Sequence, residues 1–304
     1  MDSINCRTMY SQGIKKTIVV RPVGKSKLPE DGIHPLLHRI FSARGIKSSD
    51  DLDRGLDKLP SPWLLSGMEN MVAHLISAIK AQEKITIVAD FDADGATSCA
   101  VAVKGLQLLG AVGVNFVVPN RFEYGYGLTP EIVELVKLAK PDVIITVDNG
   151  ISSLEGVKAA QDAGIKVLVT DHHLPGHELP SADAIVNPNL PDDTFPSKAL
   201  AGVGVMFYVL LALRSRLREQ GWFERQGLPE PNLAQLLDYV ALGTVADVVA
   251  LDQVNRILVY QGLMRIRTGR SHPGLQALIE ISGKNPLTLV ATDLGFALGP
   301  RLNA

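Results

Sequence analysis

Short apolar runs rich in β-branched residues alternate with longer two-faced segments through the middle of the chain. Ile85–Ala89, Val114–Val118, Val143–Val147 and Val167–Thr170 have the length and composition of buried strands. Between them, a segment from about Ala96 to Leu109, then Pro130–Ala139 and Ser153–Ala163, predict helices, with Pro130 suited to a first turn. The repeated strand–helix–strand order implies a Rossmann-like α/β fold: a parallel sheet with helices on both faces. Upstream, residues 1–30 mix charge with Gly and Pro around one apolar run, Thr17–Val20, and are expected to form a loosely ordered arm. Pro35–Arg44 and Ser48–Leu56 predict short helices, the second capped by Ser48 or Ser49, and Met71–Gln82 predicts an amphipathic one. Five prolines make Leu174–Ser197 mostly loop around one short strand, Ala184–Val186. A helical segment follows: Gly202–Glu219, Leu233–Thr244, Gln253–Arg267, Pro273–Ile281 and Pro286–Leu294. No internal repeat or low-complexity tract interrupts this order.

Composition narrows the class only a little. A 304-residue chain with 46 % hydrophobic and 20 % charged residues matches a soluble globular protein with an ample core. The formal net charge of −2 argues against a wholly basic nucleic-acid wrapper, although a local basic groove fits inside a neutral total. Cys6 and Cys99 form no pair at metal or redox spacing, which suits a reducing cytoplasm. The longest apolar runs, Leu200–Leu213 and Tyr239–Leu251, are too short or too charged to span a bilayer. No basic-then-apolar signal pattern opens the chain. A cytoplasmic protein without a membrane partner is the expectation.

Three acidic or histidine clusters stand directly after predicted strands: Asp90-Phe91-Asp92-Ala93-Asp94-Gly95, Asp148-Asn149-Gly150 and Asp171-His172-His173. In an open α/β sheet the carboxyl ends of the strands form one edge, where ligands bind, so three clusters converge on one crevice. On extended backbone Asp92 and Asp94 would point the same way, toward one ion. Asp148 adds a carboxylate and His172 an imidazole. Crowded carboxylates without Lys or Arg among them repel unless a cation neutralises them. Asp and His ligands without cysteine suit Mn2+, or Mg2+ in its place, and two such ions suit in-line attack of water on phosphorus. The plain alternatives are that each Asp caps the next helix and that the His pair is packing or surface. Asp90 is the least required as a ligand and is left open, since it could instead orient a water or a neighbouring ligand.

These residues resemble the DHH phosphoesterase superfamily. Its motifs look like Val88–Gly95, Thr146–Ser152, Thr170–His173 and Gly243–Asp247, in that order. The segments Pro119–Glu123, Gly125–Gly127, Leu200–Gly204 and Leu298–Ala304 narrow the likeness to RecJ-type single-strand-specific DNA exonucleases of the gamma-proteobacterial kind, over about residues 35 to 304. The resemblance implies two divalent cations, Mn2+ or Mg2+, held by Asp92, Asp94, Asp148, His172, His173 and Asp247, with Asp94, Asp148 and His172 central to catalysis. Without it, Asp247 reads as an ordinary helix-end carboxylate. Asp171 is expected to position its histidine neighbours. Some relatives carry a histidine where this chain has Val88, which removes one ligand here.

The resemblance also implies 5′-to-3′ hydrolysis of single-stranded DNA in recombination and repair. It implies phosphate contacts by Arg121 and Arg301, whose guanidinium forks match phosphate oxygens; for Arg121 the plain alternative is an ion pair with Glu123. Phe122, Tyr124 and Tyr126 either stack on bases or close the loop over the sheet. A single-strand-binding protein and a DNA helicase are the protein partners it suggests. The expected division is an N-terminal arm with a short helix (1–45), a DHH catalytic domain (46–270) and the start of a helical connector (271–304). RecJ-type proteins continue beyond the equivalent of Ala304 into a second domain and an OB-fold, so the chain is expected to be a fragment. Two rival readings are a small-substrate DHH phosphoesterase (a pyrophosphatase, oligoribonuclease or cyclic-dinucleotide phosphodiesterase) and a metal-binding fragment without turnover. The first of these families should lack the Pro119–Phe122, Leu200–Gly204 and Leu298–Ala304 segments.

Overall fold

The computed structural model describes residues 32–303 together with 8–11, 14–17, 19 and 28, with backbone alone for 8–11, 14–17, 121 and 122. Contacts divide the chain into Met1–Asp53 and Arg54–Ala304. In the first unit, β1 (Thr8–Ser11) and β2 (Ile14–Thr17) pair as an antiparallel hairpin, where the composition predicts a loose arm. The Thr17–Val20 run falls partly outside the described residues. Helix α1 (Pro35–Ala43) follows, with Pro35 in its first turn and the His34 ring accepting the Leu36 N–H at 3.2 Å. The helix predicted over Ser48–Leu56 is instead a single 3-10 turn, Ser49–Leu52, followed by a separate turn at Leu56–Lys58. The Asp51 carboxylate accepts the Lys47 and Ser48 N–H groups at 2.7 and 3.1 Å, closing a capping box at Ser48 that starts this turn, and the backbone becomes extended at Asp53.

In the second unit, which starts at Arg54, the 3-10 turns Leu56–Lys58 and Pro62–Leu64 precede α2 (Met68–Ala81), whose buried side chains Met71, Val72, Leu75, Ile76 and Ile79 fall at helical spacing. The alternation then runs β3 (Ile85–Ala89), α3 (Ala93–Leu108), β4 (Val114–Val117), the short turn α4 (Arg121–Tyr124), α5 (Pro130–Lys137), β5 (Val143–Val147), α6 (Leu154–Asp162), β6 (Lys166–Thr170) and β7 (Ala184–Val186). All five strands are parallel, in the order β4-β3-β5-β6-β7. After β3 the chain turns outward to β4 and then returns to the opposite side of β3 with β5. That reversal leaves a crevice at the carboxyl ends of β3 and β5.

The pleat sorts side chains to two cores. Ile85, Ile87, Val143, Ile145, Val147 and Leu168 face α2, α3 and α7 (Gly202–Glu219). Val88, Ile144, Val167 and Val169 face α5 and α6. Helices therefore cover both faces, and β3, β5 and β6 read as nearly continuous apolar runs because neither of their faces meets water, whereas the edge strand β4 leaves Asn115 and Phe116 exposed. Beyond α7 come α8 (Trp222–Gln226), α9 (Leu237–Ala246) after a 3-10 turn at Leu233–Leu236, α10 (Gln253–Arg267) and α11 (Pro273–Ile281). The helix predicted over Pro286–Leu294 is broken: a 3-10 turn, the single turn α12 (Ala291–Asp293), a π-helical turn Leu294–Leu298 and α13 (Gly299–Leu302). Asn285 accepts the Leu287 N–H at 3.0 Å and Asp293 the Val290 N–H at 3.1 Å, so each side chain starts its own turn. Leu289, Leu294 and Leu298 pack with α9, α10 and α11 in a third apolar cluster. No helix among the described residues is long and apolar enough to cross a membrane.

One close approach ties α2 to the sheet. Gly67 precedes α2 with φ +76°, and a Cβ there would sit 2.0 Å from the Ile185 carbonyl oxygen. Because strain and backbone overlap add, Gly67→Ala should lower unfolding free energy by about 2 kcal/mol or more, read as a shifted midpoint in denaturant unfolding. A shift of a few tenths would show that this junction yields freely.

Candidate metal centre

The three predicted clusters arrive on neighbouring strands, β3, β5 and β6, about 5 Å apart from one to the next. The first departs from expectation. Helix α3 begins at Ala93 rather than near Ala96, with Asp92 as its N-cap accepting the Gly95 N–H at 2.9 Å. Asp94 therefore lies in the first helical turn, and the two carboxylates do not alternate along extended backbone. They enter different groupings of metal-ligating atoms: Asp92 with Asp90 and Asp148, and Asp94 with His172 and Asp247. A third grouping joins Asp148, His172 and His173. Asp148 and His172 each belong to two of the three, so the groupings form one continuous site.

Asp94 is held from the far side by a second helix. Its Oδ2 accepts the Gly202 N–H at 2.7 Å and its Oδ1 the Val203 N–H at 3.0 Å. Those two amides open α7, an N-terminus whose free N–H groups and dipole favour negative charge. The fit needs glycine on both sides. A Cβ on Gly202 would lie 2.4 Å from Asp148 Oδ1, and one on Gly243 would lie 2.8 Å from Asp94 Oδ1. Asp247 comes from the C-terminal end of α9, which packs against α3, and so reaches the cluster although it lies far along the chain.

Asp148 follows β5 with φ +62°, a left-handed conformation uncommon for residues with a Cβ. The buried Asn149 side chain donates to the Val88 and Val147 carbonyls at 3.1 and 2.9 Å and so pins the strand ends that hold this turn. Asp171 is 1 % exposed, and its two oxygens accept four hydrogen bonds: from the N–H groups of Ile151 (2.9 Å), His172 (2.7 Å) and His173 (3.1 Å), and from His173 Nδ1 (2.7 Å). Burial alone would raise its pKa, but the bonds from His173 and the backbone prevail and hold it below the ordinary carboxylate range. An ionised carboxylate only accepts, so His173 carries its proton on Nδ1 and leaves Nε2 as a lone pair. The same bond raises the His173 pKa.

The remaining carboxylates shift the other way. Burial raises Asp90 to about 6, with Asp92 nearby adding to it. Burial raises Asp94 and Asp148 well above the usual range, reinforced by Asp148 and Asp247 around the first and by Asp92 and Asp171 around the second. Asp247 is raised by burial as well. His172 Nε2 lies 3.1 Å from Asp148 Oδ1, 3.5 Å from Asp247 Oδ2 and 3.9 Å from Asp94 Oδ2. Of these atoms, His172 Nε2, Asp148 Oδ1 and Asp247 Oδ2 are buried without a hydrogen-bond partner. Buried polar atoms are rarely left unpaired, and three converging on one point fit divalent cations bound by oxygen and imidazole nitrogen.

The other residues singled out by sequence fall outside this cluster. The Arg121 side chain lies outside the described residues. Arg301 is exposed, and its guanidinium donates to the Ala297 carbonyl within the same helical stretch. The Phe122 side chain is likewise outside the described residues, and Tyr124 packs against the α5–α6 core. Tyr126 reaches inward, with its hydroxyl 3.3 Å from His173 Nδ1 and donating to the Asp148 carbonyl at 3.4 Å. Sequence reasoning did not pick out Asn187, Asn189 or Asn303. Asn303 Oδ1 accepts the Ala93 N–H at 2.7 Å, across 210 residues, and Asn187 and Asn189 bond the carbonyls of the two histidines. Asparagine carries no charge and no spacing rule, so pattern alone could not have found them.

The sequence matches the model of the DHH family, N-terminal domain, over residues 84–244. It is 56 % identical over 280 residues to the single-stranded-DNA-specific exonuclease RecJ of Salmonella typhimurium, covering 92 % of this chain and 48 % of that protein. It is 38 % identical over 284 residues to the protein of the same name from Bacillus subtilis, covering 92 % and 34 %. The chain thus spans about half the length, or less, of the curated relatives it matches. Among solved structures, exonuclease RecJ bound to manganese aligns with a TM-score of 0.66 at 37 % identity, over 79 % of this chain and 57 % of that one. RecJ of Thermus thermophilus in complex with Mn2+ aligns with a TM-score of 0.68 at 35 % identity, over 86 % and 35 %.

The raised carboxylates set a pH dependence. An acid whose pKa is higher folded than unfolded binds its proton more tightly in the folded state, so it withdraws stability as pH rises between the two values. For Asp90 that window runs from 3.8 to about 6. The metal-free chain should lose stability across it, and Asp90→Asn should flatten that slope in urea unfolding. A cation favours the ionised carboxylates, so saturating Mn2+ should raise the melting temperature more at about pH 8 than at about pH 5. An equal increment at both pH values would contradict the assignment of these groups as ligands.

Proposed function

The chain belongs to the DHH family, and on that footing we propose that it is the catalytic part of a RecJ-type exonuclease, hydrolysing phosphodiester bonds of single-stranded DNA from the 5′ end with two divalent cations, Mn2+ or Mg2+. The observation that carries the proposal is the convergence of the unpaired atoms His172 Nε2, Asp148 Oδ1 and Asp247 Oδ2 at the carboxyl edge of the sheet. Asp92, Asp94, Asp148, His172, His173 and Asp247 would hold the ions, with Asp90 facing Asp92 and Asp148 as a further ligand. Ions bound there lower the pKa of a coordinated water and offset charge on the phosphate oxygens.

The chain's own residues supply orientation. Asp148 and His172, each shared between groupings, fix how the parts of the site sit against each other. The ionised Asp171 keeps the His173 Nε2 lone pair available. The amides of Gly202 and Val203 hold Asp94 in place while its oxygens face His172. Arg121 and Arg301 are the proposed phosphate contacts, on family likeness. A cytoplasmic setting, a role in recombination and repair, and a single-strand-binding protein and a DNA helicase as protein partners belong to the same proposal and rest on the same likeness.

The test is digestion of end-labelled single- and double-stranded DNA with Mn2+, Mg2+ or a chelator. Mononucleotides should leave the 5′ end of the single strand, and only when metal is present. Asp94→Ala and His172→Ala should each cut the rate by more than about 100-fold, beyond the range of changes made behind the ligands. Full activity in both variants, with the fold intact, would dispose of the site. Arg121→Ala should weaken binding to single strands of every sequence and reduce the slope of log K against log salt by roughly 0.7. Loss confined to one sequence, with the slope unmoved, would speak against a phosphate contact.

A further inference from the structure

The tandem His172-His173 is gripped from two sides. On the amide side, Asp171 accepts both N–H groups. On the carbonyl side, Asn189 Nδ2 donates to the His172 oxygen at 2.5 Å and Asn187 Nδ2 to the His173 oxygen at 2.9 Å. Asn187 Oδ1 in turn accepts the Asn189 N–H at 2.8 Å, which joins the two amides into one unit. Asn187 is fully buried and directly follows β7, whose register with β6 is fixed by the pairing of Thr170 with Val186.

The loop behind these asparagines is anchored as well. Lys198 Nζ donates to the carbonyls of Pro188 (2.5 Å) and Asp193 (2.8 Å). The Asp193 carboxylate accepts the N–H groups of Ser66 and Phe195 at 2.7 and 2.8 Å. The chain of bonds therefore runs from a packed loop, through two amides, to the backbone of two candidate ligands. Each asparagine spends its side-chain N–H on a histidine carbonyl, which places it behind the candidate ligands.

We propose that Asn187 and Asn189 are positioning residues for the metal centre, clamping the histidine backbone so that both imidazoles face the carboxylates at fixed spacing. The inference rests on the reading of the cluster as a metal centre. His172 belongs to two groupings and His173 to one, so Asn189 governs the shared ligand. A side-chain amide is needed at each position because the partner is a carbonyl: an aspartate of the same shape offers no N–H and sets oxygen against oxygen.

The half-buried Asn189 is the position to vary, with MnCl2 alone as the probe. Asn189→Asp and Asn189→Ala should weaken Mn2+ binding by about 10- to 100-fold in calorimetric titration, the range for groups behind metal ligands. The metal-free melting temperature should stay near that of the parent. On an oligonucleotide, kcat at low Mn2+ should fall, KM should hold, and added Mn2+ should restore the rate. Parent-like Mn2+ affinity in both variants overturns the clamp and leaves the centre standing. A lowered metal-free melting temperature with a rate that excess Mn2+ does not restore overturns it in favour of a merely structural role. Absence of Mn2+ binding by the parent itself removes the centre and the clamp together.

Discussion

Like charge held in a small buried volume is the constraint around which this structure is arranged. Asp90, Asp94, Asp148 and Asp247 are all pushed toward protonation, with burial as the leading cause; neighbouring carboxylates add to it, while the histidines oppose it at Asp90, Asp94 and Asp247. Each is answered in part by fixed donors or by location. Asp94 takes the first amides of α7, Asp90 accepts the Phe91 N–H at 2.8 Å, and Asp148 and Asp247 share one imidazole. No Lys or Arg forms an ion pair with any of them among the described residues. A full set of internal counter-charges would satisfy the carboxylates and remove their affinity for a cation, so partial neutralisation suits ligands better than complete pairing does.

Close packing of backbone is the second requirement. Five carboxylates and two imidazoles meet only if the elements behind them approach closely, and the glycines at Gly202 and Gly243 permit this by leaving no Cβ against Asp148 or Asp94. Asp148 accepts a left-handed backbone that costs on the order of 1–3 kcal/mol. The buried Asn149 amide and the register of β3, β5 and β6 hold that turn in place. Local strain and global pairing are thus parts of one arrangement.

Much of this is legible in the residues. Period and length locate every strand of the parallel sheet to within a residue; β3, β5 and β6, buried on both faces, are nearly all apolar and end where Asp90, Asp148 and Asp171 begin. The convergence of three clusters follows from topology alone. The predicted start of α3 is misplaced because Asp92 serves both as a helix cap and as a candidate ligand, and spacing cannot say which way a shared residue turns. Pro286–Leu294 reads as one helix because apolar spacing does not reveal that Asn285 and Asp293 each begin a new turn. Asp247 is visible only by family likeness, since its proximity depends on how α9 packs on α3. The asparagines behind the histidines are invisible, since a neutral amide signals nothing until its partner is seen.

The bond between the Ala93 N–H and Asn303 bears on how the molecule is made. Its two ends are separated by 210 residues, and Asp247 likewise follows Asp94 only after most of the sheet and α7. At about 5–20 residues per second, a ribosome takes on the order of 10–40 s to deliver the second end after the first. During that interval the nascent sheet can form while the acidic loop lacks its last partners. The acidic cluster therefore comes together only after the whole sheet and α7 have been delivered, and a nascent chain that has not yet reached Asp247 carries an incomplete centre.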